Sequence, residues 1–179
     1  AVYIGFGAAV LNGNTIVNNT AGGNGGGVYA AGGAPTFWNN VLRDNTAEGN
    51  GGGVYLSAAQ ARFYNNTVYQ NSANRAAGLF LSGGAPVISN TIVVANSATS
   101  IGGGLYGENG SFSADYSDVW NNQNGNYTGV SAGPHSLAVD PLFVDPVAGD
   151  LHLQSGSPLI DAGAPVAVAI DFDWQPRRM

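Results

Sequence analysis

Short apolar runs alternate with glycine, asparagine and proline along most of this chain, and the alternation repeats at a fixed interval. Four glycine-rich segments are each followed by an aliphatic and an aromatic residue. Their last glycines are Gly27, Gly53, Gly78 and Gly104, which lie 26, 25 and 26 residues apart. The runs between them are β-branched or aromatic, alternate in polarity and are too short for helices. A constant period of this length is typical of a solenoid, whose units bury their apolar faces only against one another.

Three short runs in each unit predict an all-β fold, a right-handed parallel β-helix (β-solenoid) with three strands in each coil of about 25 residues. Neighbouring coils then lie about 4.8 Å apart, so that similar residues stack on one another. Aliphatic and aromatic columns are expected to fill the core, and asparagine columns to form amide ladders at the corners. The core columns are Leu11, Phe37, Phe63 and Val87, and Ile16, Leu42, Val68 and Ile92; the asparagine columns are Asn14, Asn40, Asn66 and Asn90, and Asn19, Asn45, Asn71 and Asn96.

From about Ser111 the repeat decays into a tail interrupted by prolines. The tail contains residues 140–145 (DPLFVD), 149–153 (GDLHL), 156–163 (GSPLIDAG) and 171–173 (DFD). After coils of the Gly-Gly-Gly-aliphatic-Tyr type, these motifs resemble the C-terminal portion of bacterial secreted right-handed parallel β-helix-repeat proteins, which are relatives of the pectate-lyase-like superfamily. The resemblance covers nearly the whole chain and departs at Trp174, where the group has glycine. It implies coils over residues 1–122 and a capping segment over residues 123–179 packed on the solenoid.

The same resemblance implies export but leaves the activity open, because the group mixes lyases, hydrolases, adhesins and surface proteins. Charge is sparse, since only 9% of the 179 residues are charged, against about a quarter in typical globular chains. Residues 1–110 are neutral overall, so the whole net charge of −6 lies in the tail. No basic stripe is available for nucleic acid, and no apolar run reaches the roughly 20 residues of a membrane span. With no cysteine present, we expect an extracellular or cell-surface protein exported from a bacterium.

The coil body offers few groups for catalysis. Its three acids, Asp44, Glu48 and Glu108, share no column, so the lateral face lacks the ionisable cluster that acid–base chemistry requires. Residues 129–133 (GVSAG) match the nucleophile-elbow pattern, but Pro134 follows at once and no helix pattern is present. No catalytic residue is therefore predicted.

Two sets of residues are candidate binding sites. One set is a column of rings, expected to be exposed, which either stacks on sugars or only strengthens the coil through ring-on-ring contacts: Tyr3, Tyr29, Tyr55, Phe80 and Tyr106. The other set is the tail acids, which either bind Ca²⁺ or make turns and caps: Asp140, Asp145, Asp150, Asp161, Asp171 and Asp173. The sequence requires no cofactor. If these acids bind a metal ion, Ca²⁺ is the ion that suits them.

Residues 1–3 lie 26 positions before residues 27–29 and share the Val-Tyr pair, so the chain opens inside a coil. A first coil leaves free strand edges. We therefore expect either further coils before Ala1 or end-to-end stacking of copies, which yields filaments when the rotation does not close. The sequence favours a non-catalytic exported structural or cell-surface solenoid, forming filaments or part of a longer adhesin-like protein. The alternatives are the C-terminal section of a carbohydrate-active enzyme of the polysaccharide-lyase type and a carbohydrate-binding module, both with a polysaccharide partner.

Overall fold

The computed structural model describes residues 1–165 and 170–176, and within them it contains strands and no helix. Each complete coil carries four short strands. The first coil contains Val2–Ile4 (β1), Val10–Asn12 (β2), Thr15–Val17 (β3) and Thr20–Ala21 (β4). The second contains Val28–Ala31 (β5), Thr36–Trp38 (β6), Val41–Arg43 (β7) and Thr46–Asn50 (β8). The third contains Val54–Ser57 (β9), Arg62–Tyr64 (β10), Thr67–Tyr69 (β11) and Ser72–Arg75 (β12).

The later elements follow the same order until the tail begins. The fourth coil contains Leu79–Ser82 (β13), Val87–Ser89 (β14), Ile92–Val94 (β15) and Ser97–Ile101 (β16). The fifth contains Leu105–Glu108 (β17), Phe112–Asp115 (β18) and Asp118–Trp120 (β19). Tyr127–Thr128 (β20) and Val130–Ala132 (β21) add two more strands, and Phe143–Asp145 (β22) with Asp150–Leu153 (β23) form an antiparallel hairpin in the tail.

Equivalent strands of successive coils pair in parallel, which builds four sheets around the coil axis. Sheet 1 is β1, β5, β9, β13, β17 and β20; sheet 2 is β2, β6, β10, β14, β18 and β21; sheet 3 is β3, β7, β11, β15 and β19; sheet 4 is β4, β8, β12 and β16. This arrangement confirms the predicted all-β parallel solenoid. The three strands predicted for each coil lie in sheets 1 to 3, and the short strands of sheet 4 follow the Asn19 column. Pairing in sheets 1 and 2 continues past residue 122, to β20 and β21.

The core is a set of inward columns with almost no solvent contact. In sheet 2 one column runs through Leu11, Phe37 and Phe63, and the rings of the two phenylalanines lie 5.3 Å apart. In sheet 3 the corresponding column runs through Ile16, Leu42 and Val68. Because every coil contributes the same inward positions, apolar contact is continuous along the axis.

The predicted columns are wrong by one residue in the fourth coil. Phe63 pairs with Ile88, which is 2% exposed, whereas Val87 pairs with the outward Arg62 and is 49% exposed. Val68 likewise pairs with Val93, so that Ile92 belongs to the outward column of Thr67. At the corner, Thr91 takes the place expected for Asn90, since its hydroxyl donates to Phe63 O just as the Asn66 amide donates to Phe37 O.

A deletion explains these three corrections. The third coil is one residue shorter between Ala73 and Gly78, where the pairing shifts at Ala73/Arg75. Fourth-coil positions from Leu79 to Ala98 therefore lie 25 residues after their third-coil equivalents, as the spacing from Gly53 to Gly78 showed, whereas matching by residue type at Val87, Asn90 and Ile92 used 24. Because side chains alternate along a strand, a slip of one residue exchanges the inner and outer faces.

Two ladders of side-chain amides line the corners. At the corner after sheet 3, each asparagine donates to the Oδ1 atom of the next at 2.9–3.0 Å, through Asn19, Asn45, Asn71, Asn96 and Asn122. At the corner between sheets 2 and 3, Asn14, Asn40 and Asn66 do the same, and Thr91 and Ser117 continue the column. These amides satisfy backbone groups that turn away from the sheets, which would otherwise be costly to bury.

Gly53→Ala is expected to lower the free energy of unfolding by about 1–3 kcal/mol, because it overpacks the contact between two coils. A Cβ atom at Gly53 would lie 2.8 Å from the Gly78 oxygen and 3.0 Å from Val68 Cγ1. Gly23→Ala is the matched control, since a Cβ atom there meets nothing within 4 Å, and it should change stability by less than about 0.5 kcal/mol. Urea unfolding measures both variants, and equal effects would contradict the packing argument.

The tail lies along the side of the solenoid, against the outer surface of sheet 3, and runs back towards the first coil. The β22–β23 hairpin packs its Phe143 ring edge-on against Tyr69, with a centroid separation of 5.7 Å. Farther along, the Asn90 side chain bonds the Ala164 backbone and Asn39 Nδ2 donates to Ile170 O at 3.0 Å. Trp174 reaches Gly13 of the first coil. The tail therefore spans the solenoid lengthwise.

Candidate functional site

The ring column lies on the outer face of sheet 1. Successive rings are stacked with centroid separations of 5.0–5.5 Å and interplanar angles of 16–24°. The expectation that the rings are exposed is wrong for Phe80, which is fully buried, whereas Tyr3 is 73% exposed. Arg75 explains the difference. Its guanidinium lies over the Phe80 and Tyr106 rings, at 5.3 Å and 4.6 Å from their centroids, and pairs with Glu108 at 3.1 Å.

The tail acids are dispersed over several turns. Asp140, Asp145 and Asp171 each accept a backbone N–H from a residue two to four positions later, at 2.8–3.1 Å. Asp150 and Asp173 both bond His152, and Asp161 has a positive φ of 59°. In residues 1–165 and 170–176, no three histidine, aspartate or glutamate side chains form a group that could hold a metal ion. These contacts are the ones expected of acids that form turns. Ca²⁺ binding stays a prediction, and the described part of the chain shows no set of ligands for it.

His152 connects the hairpin with the last described turn of the tail. Its Nε2 atom lies 2.8 Å from Asp173 Oδ2, and its Nδ1 atom is bonded to Asp150. The hydrogen bonds to Asp150 and then to Asp173 raise the pKa of His152. The two carboxylates therefore stabilise the protonated form of His152, which joins the hairpin to the turn that contains Asp173.

A cavity of roughly 900 Å³ lies between the tail and sheet 3. Its floor is one outward column of sheet 3, which runs through all five coils: Thr15, Val41, Thr67, Ile92 and Asp118. The tail supplies the opposite side through Leu151, Leu159 and Asp161, among others. Sequence reasoning missed this site because it depends on where the tail lies. The signal that could have indicated it is Asp118, a carboxylate in a column of otherwise uncharged residues.

Asp118 is unusual among the acids of this chain because it is only 3% exposed. Its Oδ1 atom accepts the Val139 N–H at 3.0 Å, whereas its Oδ2 atom is buried and has no hydrogen-bond partner in the described part of the chain. Burial raises the pKa of Asp118 to about 6; the Val139 bond opposes this shift and the charge of Asp140 adds to it. A buried carboxylate oxygen without a donor is a costly arrangement, and it identifies Asp118 as a candidate for ligand contact.

Next to Asp118, His135 and Tyr116 line the same cavity. Their rings are stacked, with centroids 4.2 Å apart and planes at 10°. Asp115 orients the histidine, since its Oδ2 atom lies 3.1 Å from His135 Nδ1 and its Oδ1 atom accepts the His135 backbone N–H. Although burial acts to raise it, the hydrogen bonds from His135 and Tyr116 lower the pKa of Asp115. Ser131, the serine of the elbow-like motif, lies in strand β21 of sheet 2 rather than on a strand-to-helix turn.

Four parallel sheets with stacked internal columns define this chain as a parallel β-solenoid. A family described as a right-handed β-helix region matches residues 1–135, and the chain therefore belongs to that family. No curated protein and no solved structure matches the chain. Among the described residues, no helix is long and apolar enough to cross a membrane.

Proposed function

We propose that this protein is a non-catalytic, exported structural or cell-surface solenoid that acts as a rigid rod. The observation that supports this proposal is that charged side chains of the coil body form ion pairs with one another. Arg43 pairs with the adjacent Asp44, and Arg75 pairs with Glu108 while lying flat on two rings. These four ions are engaged in local contacts with one another, and the acid that sheet 2 carries in β18, Asp115, is likewise hydrogen-bonded to His135.

The internal ladders support a mechanical role. Amide ladders, stacked rings and parallel backbone pairing all run along the coil axis. Each coil is therefore held to the next by several independent sets of contacts, and opening one joint requires breaking all of them together. Export is proposed from the likeness of the tail to that of secreted β-helix-repeat proteins.

End-to-end assembly is part of the proposal. Strands β1 to β4 pair on one side only, and Val10 and Tyr3 on them are exposed. The amide ladders have a direction along the coil axis, since each side chain donates towards the following coil and accepts from the preceding one. The first coil thus presents an acceptor edge at Asn14, while the last amide of the other ladder is Asn126. Such ends suit head-to-tail contact with a second copy or with further coils of a longer chain.

Negative-stain electron microscopy at rising protein concentration tests the assembly. We expect rods whose length increases with concentration, and we expect Leu11→Lys to keep the protein monomeric because it places a charge at the free end of the core column. Val87→Lys is the control, since Val87 is solvent-exposed in an interior coil, and it should leave rod length unchanged. Monomers at every concentration would reject the stacking proposal.

The enzyme alternative predicts a different result in a separate assay. A polysaccharide lyase produces an unsaturated sugar that absorbs in the ultraviolet. We expect no such product from acidic polysaccharides, and its appearance would replace the structural proposal with the enzymatic one.

A carbohydrate-binding module is the second candidate, and the half-buried Tyr29 and Tyr55 rings favour it because they form a stacked outer surface. Sugars stack on such rings. A glycan array distinguishes the two functions: binding that is lost in the Tyr29→Ala/Tyr55→Ala double variant would support the module. The structural proposal expects no glycan to be retained by either protein.

A further inference from the structure

We infer that the cavity beneath the tail binds a primary ammonium group at Asp118, carried on an elongated and partly apolar ligand. This inference goes beyond the proposed structural role and does not depend on it. It rests on three features of the cavity: its balance of charge, the unpartnered Asp118 Oδ2 atom, and the composition of its floor.

The charges around the cavity favour a cation. Within residues 1–165 and 170–176, four carboxylates line it: Asp118, Asp161, Asp171 and Asp173. The basic groups in the described part of the lining are Arg43, His135 and His152. Arg43 is already paired with Asp44, and His152 is shared between two carboxylates. Among the described residues, the lining therefore holds more carboxylates than free basic groups, which favours a cation over an anionic ligand.

The contacts at Asp118 favour a donor with a positive charge. An ammonium group offers three N–H donors and would supply the partner that Asp118 Oδ2 lacks. The Tyr116 ring, also in the lining, can face the same cation. Along the floor, Thr15, Val41, Thr67 and Ile92 present methyl groups and hydroxyls, which suit an alkyl stem. A lysine side chain of another protein and a free aliphatic diamine share this chemistry.

Isothermal titration calorimetry with four probes tests the inference. The probes are 1,5-diaminopentane and its neutral analogue 1,5-pentanediol, and Nα-acetyl-lysine amide with its neutral analogue Nα-acetyl-norleucine amide. At pH 7 we expect at least one amine to bind more than about tenfold more tightly than its neutral analogue, since the analogue leaves the carboxylate unpaired. The stronger amine identifies the source of the ligand. Equal binding of both members of each pair, or no binding at millimolar concentration, overturns the inference.

The pH dependence gives a second readout. A carboxyl with a pKa of about 6 is roughly one-tenth ionised at pH 5 and nine-tenths ionised at pH 7. Diamine affinity should therefore rise about tenfold over this range. Among the described residues, Asp140 and Tyr127 interact electrostatically with Asp118, Asp115 interacts with Tyr127, and His135 lies at the cavity lining. Because His135 lines the same cavity, the rise must persist in His135→Asn to be assigned to Asp118.

Asp118→Asn is the decisive variant because its Oδ1 atom can still accept the Val139 N–H. We expect it to lose at least tenfold in amine affinity and to lose the pH dependence. Asp145→Asn, which removes an exposed tail carboxylate that does not line the cavity, should bind normally. Unchanged binding by Asp118→Asn would overturn the inference.

Stability measurements show whether the Asp118→Asn variant is folded. The pKa of Asp118 is higher in the folded chain than in the unfolded chain, so the folded state binds more protons between about pH 4 and pH 6. Stability therefore falls as pH rises through this window, and the Asp118→Asn substitution should remove that fall. At pH 7 the variant should melt no lower than the parent.

Discussion

Asn71→Ala is expected to lower the free energy of unfolding by about 4 kcal/mol, because the truncation leaves several buried polar groups without partners. The Asn71 side chain donates to Leu42 O and to Asn96 Oδ1, both at 3.0 Å. Its own Oδ1 atom accepts both the backbone and the side-chain N–H of Asn45 at 3.0 Å. Alanine removes all four bonds in the interior of the ladder, where water cannot replace them. Urea unfolding followed by circular dichroism measures the loss.

Asn74→Ala is the matched control for this prediction. Asn74 lies three residues away in the same coil and is exposed, and its side chain accepts one weak bond from Thr99 at 3.3 Å. It should cost less than about 0.5 kcal/mol. If the two variants unfold at the same urea concentration, the ladder contributes nothing beyond an ordinary surface asparagine, and the structural proposal loses a main source of rigidity.

The fold could be predicted from the sequence because every coil repeats the same physical requirements. The last glycine of each segment packs so closely against a backbone oxygen of the next coil that a Cβ atom would clash with it. The corner asparagines form hydrogen bonds with backbone groups that turn away from the sheets. Both requirements fix a residue type at a regular spacing, and that spacing is readable without coordinates. The fourth-coil errors at Val87, Asn90 and Ile92 arose where residue type and spacing disagreed. There the register follows the spacing, because only that spacing keeps the same face of each strand turned inward.

The cavity beneath the tail could not be predicted in the same way. The tail does not repeat, so no internal comparison indicates which column it covers. Its contacts with Asn39, Asn90 and Tyr69 join residues 74 to 132 positions apart. Asp118 is a candidate for ligand contact only because the segment around Val139 covers it. The burial of Phe80 was missed for a related reason, since it depends on how Arg75 folds over the ring.

Ile88→Ala is expected to lower the free energy of unfolding by about 3 kcal/mol, because it opens a cavity in the continuous core. Ile88 is 2% exposed and pairs with Phe63 on one side and with Ala114 on the other. A small neighbour such as Ala114 cannot fill the space that the side chain leaves. The measurement is again the urea midpoint and the slope of the transition.

Val87→Ala is the control that makes this prediction a test of register. Val87 is adjacent to Ile88 in the same strand but is 49% exposed, so its truncation should cost less than about 0.5 kcal/mol. If Val87→Ala were the more damaging variant, the fourth coil would be shifted by one residue. The outward column that includes Asp118 would then need to be reassigned, because Ile92 of the fourth coil connects Thr67 with Asp118 in that column.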